Sequence, residues 1–248
     1  MATIGIIGGT GLEKSNLLKN PEKKKLTTKF GDPSSEILMG EMFGHKLAII
    51  SRHGAEHTIT PTHVNNRANL SALKELGCEF IIATTACGSL KEEVMPGDFV
   101  LADQFIDFTK KRQNTFFDSF EPGQMQHCPM AEPYSKEIGA KIISAADKLN
   151  IKLHKTGTIV TIEGPRSSTK AESNMFRMWG SELINMSTAT ETALANEIGI
   201  PYSVIAISTD YDCWKDDEEA VSIEIVLQNF KKSVGTLLEL ISETVRLF

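Results

Sequence analysis

An alternation of two residue patterns constrains this chain more than any other feature. Short apolar runs rich in β-branched residues recur at 3–7, 46–51, 79–85, 98–102, 158–162, 182–186 and 202–208. Between several of them lie stretches whose apolar residues repeat every three or four positions. Leu70, Leu73 and Leu76 do so within 66–76, Ile138, Ile142 and Ala145 within 136–149, and Ala193, Leu194 and Ile198 within 188–198. A last stretch, 221–248, sets Leu227, Phe230, Val234, Leu237, Leu238 and Ile241 at helical spacing. Near-continuous apolar runs read as strands buried on both faces, and the three-to-four repeat reads as amphipathic helix. Their alternation predicts an α/β protein, one domain over 1–248, with a central mixed, largely parallel sheet flanked by helices. The polar stretch 109–123 reads as a long excursion or lid and not as a domain boundary, since no change of composition follows it.

Composition narrows the function classes. With 41% hydrophobic and 23% charged residues the chain is neither disordered nor a coiled coil. Its net charge of −6 gives no reason to expect nucleic acid, which needs a concentrated basic face. No apolar run is long enough to span a bilayer, and the first residues lack the pattern of a secretory leader. Cys78, Cys87, Cys128 and Cys213 are widely spaced without a C-x-x-C, so neither a zinc knuckle nor a disulfide framework is expected. These features predict a reduced, cytoplasmic protein.

The chemistry-bearing residues gather where strands end. Gly8-Gly9-Thr10-Gly11 follows the first strand, and small residues there let backbone N–H groups approach an anion. Lys14 stands where a dinucleotide fingerprint needs glycine, and Leu12-Glu13 replaces the Lys-Ser/Thr of a P-loop. A non-catalytic nucleotide-binding domain using this loop, or a plain tight turn, is therefore an alternative. Arg52 and His53 follow the second apolar strand, where Arg can offer a donor fork to an oxyanion. His53, Glu56 and His57 also spell the H-x-x-E-H of a zinc hydrolase. That chemistry needs a helix, and Gly54 with Pro61 shortly after makes one improbable. Thr84-Thr85-Ala86-Cys87-Gly88-Ser89 adds a compact donor cluster, with Cys87 read as a buried small residue. Asp210 and Asp212, at i and i+2 on a strand tip, suit general acid work or recognition of amino groups.

A resemblance rests on these and other segments in order: IGIIGGTGL, RHG-x-x-H, VNNRANL, TTACGSL, PGD, DQFID, PMAEPY, TIEGPR, AESNMFR, INMS and STDYDCWKDDEEAVS. The chain resembles the trimeric purine nucleoside phosphorylase family. The resemblance implies phosphate-driven cleavage of a purine nucleoside, with 5′-methylthioadenosine as the preferred substrate and a broader purine nucleoside phosphorylase as the alternative. It implies no cofactor and no metal, inorganic phosphate being a co-substrate, and a homotrimer. By the same resemblance Thr10, Arg52, His53, Thr85, Ala86 and Ser187 form the phosphate site, and Asp210 and Asp212 face the purine. Met186 would line the ribose, and Ile223, Val226 and Leu227, with His127 from a neighbouring subunit, would line an apolar 5′ pocket. Ser187 stands where the family has threonine. Ser167 stands where it commonly has a phenylalanine that packs on the base.

Overall fold

The structure, a computed structural model, describes residues 1–8, 18–216 and 223–248, with only the backbone at 223 and 225. In chain order the strands are β1 (Thr3–Gly8), β2 (Lys19–Lys24), β3 (Ile37–Met42), β4 (His45–Ser51), β5 (Phe80–Ser89), β6 (Phe99–Leu101), β7 (Gln104–Phe108), β8 (Leu153–His154), β9 (Thr158–Ile162), β10 (Leu183–Asn185) and β11 (Tyr202–Asp210). The helices are α1 (Asn66–Glu75), α2 (Lys136–Leu149), α3 (Lys170–Met178), α4 (Thr188–Glu197) and α5 (Ile223–Arg246).

All these strands belong to one mixed sheet, in which β1 lies between β4 and β5 and runs parallel to both. β5 is also parallel to β11, whose other edge takes β6 antiparallel. The buried parallel strands are the ones whose apolar runs announced them. β2 escaped the sequence reading for a physical reason. Its KNPEKK is exposed along its whole length, and charge plus proline suit an edge strand better than a core one. β7 is half-exposed and β8 has two residues, so neither carries a strong period. α3 is short, nine residues, and buries only Ser173 and Phe176.

The two faces of the sheet are covered separately. Leu70 and Leu73 of α1 and Leu194 and Ala195 of α4 pack with Ile7, Ile81 and Ala83. On the other side, Ile138 and Ile142 of α2 and Leu237 and Ile241 of α5 pack with Ile6, Ile82 and Ile205. Among the described residues no helix is long and apolar enough to cross a membrane. Three helix starts have a local cause. Asn65 caps α1 by accepting from Ala68 N, and Ser135 caps α2 by accepting from Ile138 N. Thr169 and Glu172 form a reciprocal capping box on α3.

One strand departs from expectation in a way that matters. β5 runs on to Ser89, beyond the expected 79–85, because β11 pairs it as far as Gly88 and β10 joins it antiparallel at Gly88 and Ser89. The Thr84–Gly88 cluster therefore sits inside a strand and not in the loop after it. The capping box at Thr169 gives a first test. Thr169→Ala should cost about 1 kcal/mol in denaturant unfolding with the slope unchanged.

Candidate active site

The site forms where the sheet forks. β1 pairs with β5 only as far as Ala83, and β10 takes up that edge at Gly88. Between these points β5 is paired by β11 alone. Arg52, one residue past β4, fills the gap: its Nη1 donates to Thr84 O at 2.9 Å, in place of a strand neighbour. Its Nε and Nη2 donate to the two carboxylate oxygens of Glu191 at 2.5 and 3.0 Å. Both side chains are buried, and Tyr202 Oη donates to Glu191 at 2.7 Å. Glu191 gives the guanidinium a counter-charge that a buried cation needs. Arginine has five N–H donors, so one on each of Nη1 and Nη2 is not used by these bonds. The fork expected to face an anion is thus half committed: its Nε/Nη2 edge grips Glu191, and only its tip is available.

The gap opens into a cavity of about 520 Å³. Its wall includes Arg52, His53, Thr85, Ala86, Met186, Ser187, Ser167, Asp210, Asp212, Val226 and Leu227. The structure thus brings together most of the residues that the sequence singled out, from the ends of β4, β5, β9, β10 and β11 and from α5. Three do not join them. Thr10 and the side chain of Ile223 lie outside the described residues. His127 is exposed in the segment after β7, with its ring 6.4 Å from Phe120, and does not line this cavity.

One part of the wall is rich in donors. Ser187 is the N-cap of α4 but makes no side-chain cap, so its hydroxyl is left to the cavity and lies 3.3 Å from Thr85 Oγ1. Asn185 holds this corner: its amide donates to Thr85 Oγ1 at 3.3 Å and Thr188 Oγ1 at 2.8 Å, while its oxygen accepts from Thr161 Oγ1 at 2.7 Å. A helix N-terminus among fixed hydroxyls is a ready site for an anion. His53 adds no charge. Burial and the neighbouring Arg52 lower its pKa to about 4, so the ring is neutral at pH 7. Residues 52–57 form turns, with Gly54 at φ 81°, so the helix required by H-x-x-E-H is not formed.

Three residues further along β5, about 10 Å away, the wall turns acidic. A Cβ on Gly88 would stand 3.0 Å from Asp210 Oδ1 and 3.2 Å from Asp212 Cβ, so glycine lets the two acids pack against the strand. Asp210 Oδ1 accepts from Asp212 N at 2.8 Å, and Oδ2 accepts from Thr209 Oγ1 at 2.7 Å. Burial nevertheless raises its pKa, and the Asp212 carboxylate adds to the rise. Cys87 is buried and its thiol is pushed up by burial, as a packing residue requires. Ser167 lines the cavity without an aromatic ring of its own, and Phe230 of α5 lines it as well.

Sequence reasoning missed the parts that hold the wall in place. Glu191 was legible in principle: it sits among small and apolar residues in TATETALANE, a helix buried on most sides, and a buried acid needs a partner. Arg112 and Glu163 carry no such signal. Arg112 Nε donates to Glu163 Oε1 at 3.0 Å, and its Nη2 donates to Glu163 O at 2.7 Å and Met186 O at 3.0 Å. Glu163 also accepts from Thr62 Oγ1 and from the N–H groups of Lys110 and Lys111. Burial works against its charge, but these donors outweigh it and hold the carboxyl at about 2. One ion pair thus ties the 109–123 excursion to the Pro61, Pro165 and Met186 segments of the cavity wall.

The Glu163 pKa lies below its value in an unfolded chain, so this pair adds stability above about pH 4.5 and loses it as pH falls toward 2. Glu163→Gln should remove that contribution, destabilising the protein at pH 7 but much less near pH 2. Thermal unfolding at the two pH values checks it, and an equal loss at both would contradict it.

Comparison with known proteins identifies the family. The model of the phosphorylase superfamily matches residues 3–246. The S-methyl-5′-thioadenosine phosphorylase of Ciona intestinalis is 49% identical over 247 residues, covering 98% of this chain and 88% of that one. The Xenopus tropicalis protein of the same name is 50% identical over 236 residues, covering 94% and 84%. Among solved structures, the methylthioadenosine phosphorylase from Schistosoma mansoni in complex with adenine superimposes with a TM-score of 0.94 at 41% identity, covering 100% of this chain and 92% of that one. A mutant of the Schistosoma enzyme in complex with methylthioadenosine gives 0.92 at 41% identity, covering 100% and 91%. The chain belongs to the phosphorylase superfamily, and within it to the family of S-methyl-5′-thioadenosine phosphorylases.

Proposed function

We propose that this protein cleaves the N-glycosidic bond of 5′-methylthioadenosine with inorganic phosphate, giving adenine and 5-methylthioribose 1-phosphate. One observation carries the reading: a single cavity holds both an anion-donor corner, at Arg52, Thr85 and Ser187, and the carboxyl of raised pKa at the end of β11. The relatives named for this activity, and the related structures holding adenine and methylthioadenosine, support the choice of nucleoside.

In this reading phosphate is received by the tip of Arg52, by Thr85, Ala86 and Ser187 and by the N-terminus of α4, with His53 beside it. Thr10 is assigned to the same site by resemblance. Phosphate faces the ribosyl carbon, which gains positive charge as the bond to the base breaks, and then captures it. The departing adenine gains negative charge and needs a proton at N7. Asp210 supplies it, since its raised pKa lets it carry a proton nearer neutrality than an ordinary carboxyl. Asp212 supports Asp210. Met186 borders the ribose, and Val226 and Leu227 form an apolar wall for the methylthio group, to which Ile223 is assigned by resemblance alone.

The same reading makes the protein a homo-oligomer, a trimer by resemblance. His127 lies away from its own cavity, and Leu227, on the cavity wall, is 53% exposed in the single chain. A neighbouring copy that brings His127 over the Leu227 side would close the 5′ pocket. The reaction needs no cofactor, and the chain's free cysteines suit the reducing cytoplasm.

Base choice follows from Asp210. Adenine offers an acceptor at N7 and donors at N6, whereas a 6-oxopurine offers acceptors at both positions. A carboxylate facing O6 sets acceptor against acceptor, and a site with buried polar groups unpaired can reject such a ligand by roughly 10⁴-fold. Base release from 5′-methylthioadenosine and inosine, each with and without phosphate, tests the reading. It should require phosphate and strongly favour the 6-aminopurine. Asp210→Asn should slow methylthioadenosine and admit inosine, while Arg52→Ala should raise the phosphate KM far more than the nucleoside KM. Equal use of both nucleosides would overturn the Asp210 assignment.

A further inference from the structure

The polarity of His53 is set by the turn that carries it. Its Nδ1 lies 2.9 Å from Ile59 O. A carbonyl oxygen only accepts, so Nδ1 must carry the proton. In a neutral ring the other nitrogen, Nε2, is then a bare lone pair. Burial and the adjacent Arg52 keep the ring neutral at pH 7, and the His57 ring flanks it at a centroid distance of 4.6 Å. His53 is part of the cavity wall, and among the described residues no protein group engages Nε2.

The rest of this corner is donor in character. Arg52 offers only N–H groups, and the Thr85 and Ser187 hydroxyls can turn to donate. A bare-oxygen anion would suit all of these groups and be repelled by Nε2. Inorganic phosphate near neutrality keeps at least one O–H, as does arsenate. Sulfate keeps none.

We propose that His53 selects the nucleophile by accepting, through Nε2, a hydrogen bond from the O–H of hydrogen phosphate, so that the site discriminates phosphate and arsenate from sulfate. This rests on the phosphate reading given above and deepens it. His53 then contributes no positive charge. It is a filter set by the tautomer that Ile59 O imposes. An acceptor left facing an acceptor in a partly buried site costs enough for discrimination of roughly tenfold or more.

The test measures the KM for phosphate and for arsenate, and the inhibition constant of sulfate competing with phosphate, on the parent protein and on two variants. In the parent, arsenate should support base release with a KM close to that of phosphate, and sulfate should bind roughly tenfold or more weakly. His53→Asn can keep a donor to Ile59 O but removes the Nε2 acceptor. It should raise the phosphate KM roughly tenfold and leave the sulfate constant within about threefold, closing the gap. His53→Gln, whose amide oxygen can accept, should restore part of it. The proposal is overturned if sulfate binds the parent as tightly as phosphate, or if His53→Asn weakens both anions equally. The parent comparison needs no variant, so a variant that fails to fold does not rescue the idea. If base release needs no phosphate and Arg52→Ala leaves both anions unaffected, the phosphate site itself is wrong, an outcome distinct from failure of the filter.

Discussion

A buried guanidinium between two strands organises the site. Where β1 stops pairing with β5, Thr84 O loses its strand partner, and Arg52 supplies a donor in its place. A charge in that position is tolerable only with a counter-charge, and Glu191 from α4 provides it. Tyr202 of β11 donates to Glu191 in turn, and its ring stacks on Tyr134 at 6.3 Å. One ion pair therefore fixes the end of β4 and the middle of β5 against the first turns of α4. The donor corner is assembled from those three elements.

Opposite demands share the remaining wall. The donor corner includes Thr85 of β5, and the raised carboxyl of Asp210, at the end of the paired strand β11, packs against Gly88 of β5, which gives the acids room. Separating the two lets one cavity favour negative charge in one part and hold a transferable proton in another. The Arg112–Glu163 pair does for the apolar and base-side wall what Arg52–Glu191 does for the anion corner. It gathers segments distant in sequence onto one carboxylate.

Much of this was legible before the structure. The apolar runs located β1, β4, β9 and β11, and the helical period located α2 over the residues it occupies. Residues at strand ends, such as Arg52, His53, Asp210 and Asp212, stood out because parallel sheets bind ligands there. What stayed hidden has physical causes. β2 hides because an exposed charged edge strand has no apolar alternation. Glu163 and Arg112 hide because their value lies in partners far along the chain, to which spacing is blind. The polarity of His53 depends on a carbonyl six residues on, which only the turn at Gly54 brings near.

The Arg52–Glu191 pair builds the anion corner by neutralising a buried charge. The most direct test of this role is the unfolding of Glu191→Gln with and without inorganic phosphate. The variant should lose about 3–5 kcal/mol of stability, the cost of leaving a buried charge unpaired. Added phosphate should stabilise it more than the parent, because the anion then becomes the counter-charge of Arg52. A variant as stable as the parent, or one that gains no more from phosphate than the parent does, would contradict this account.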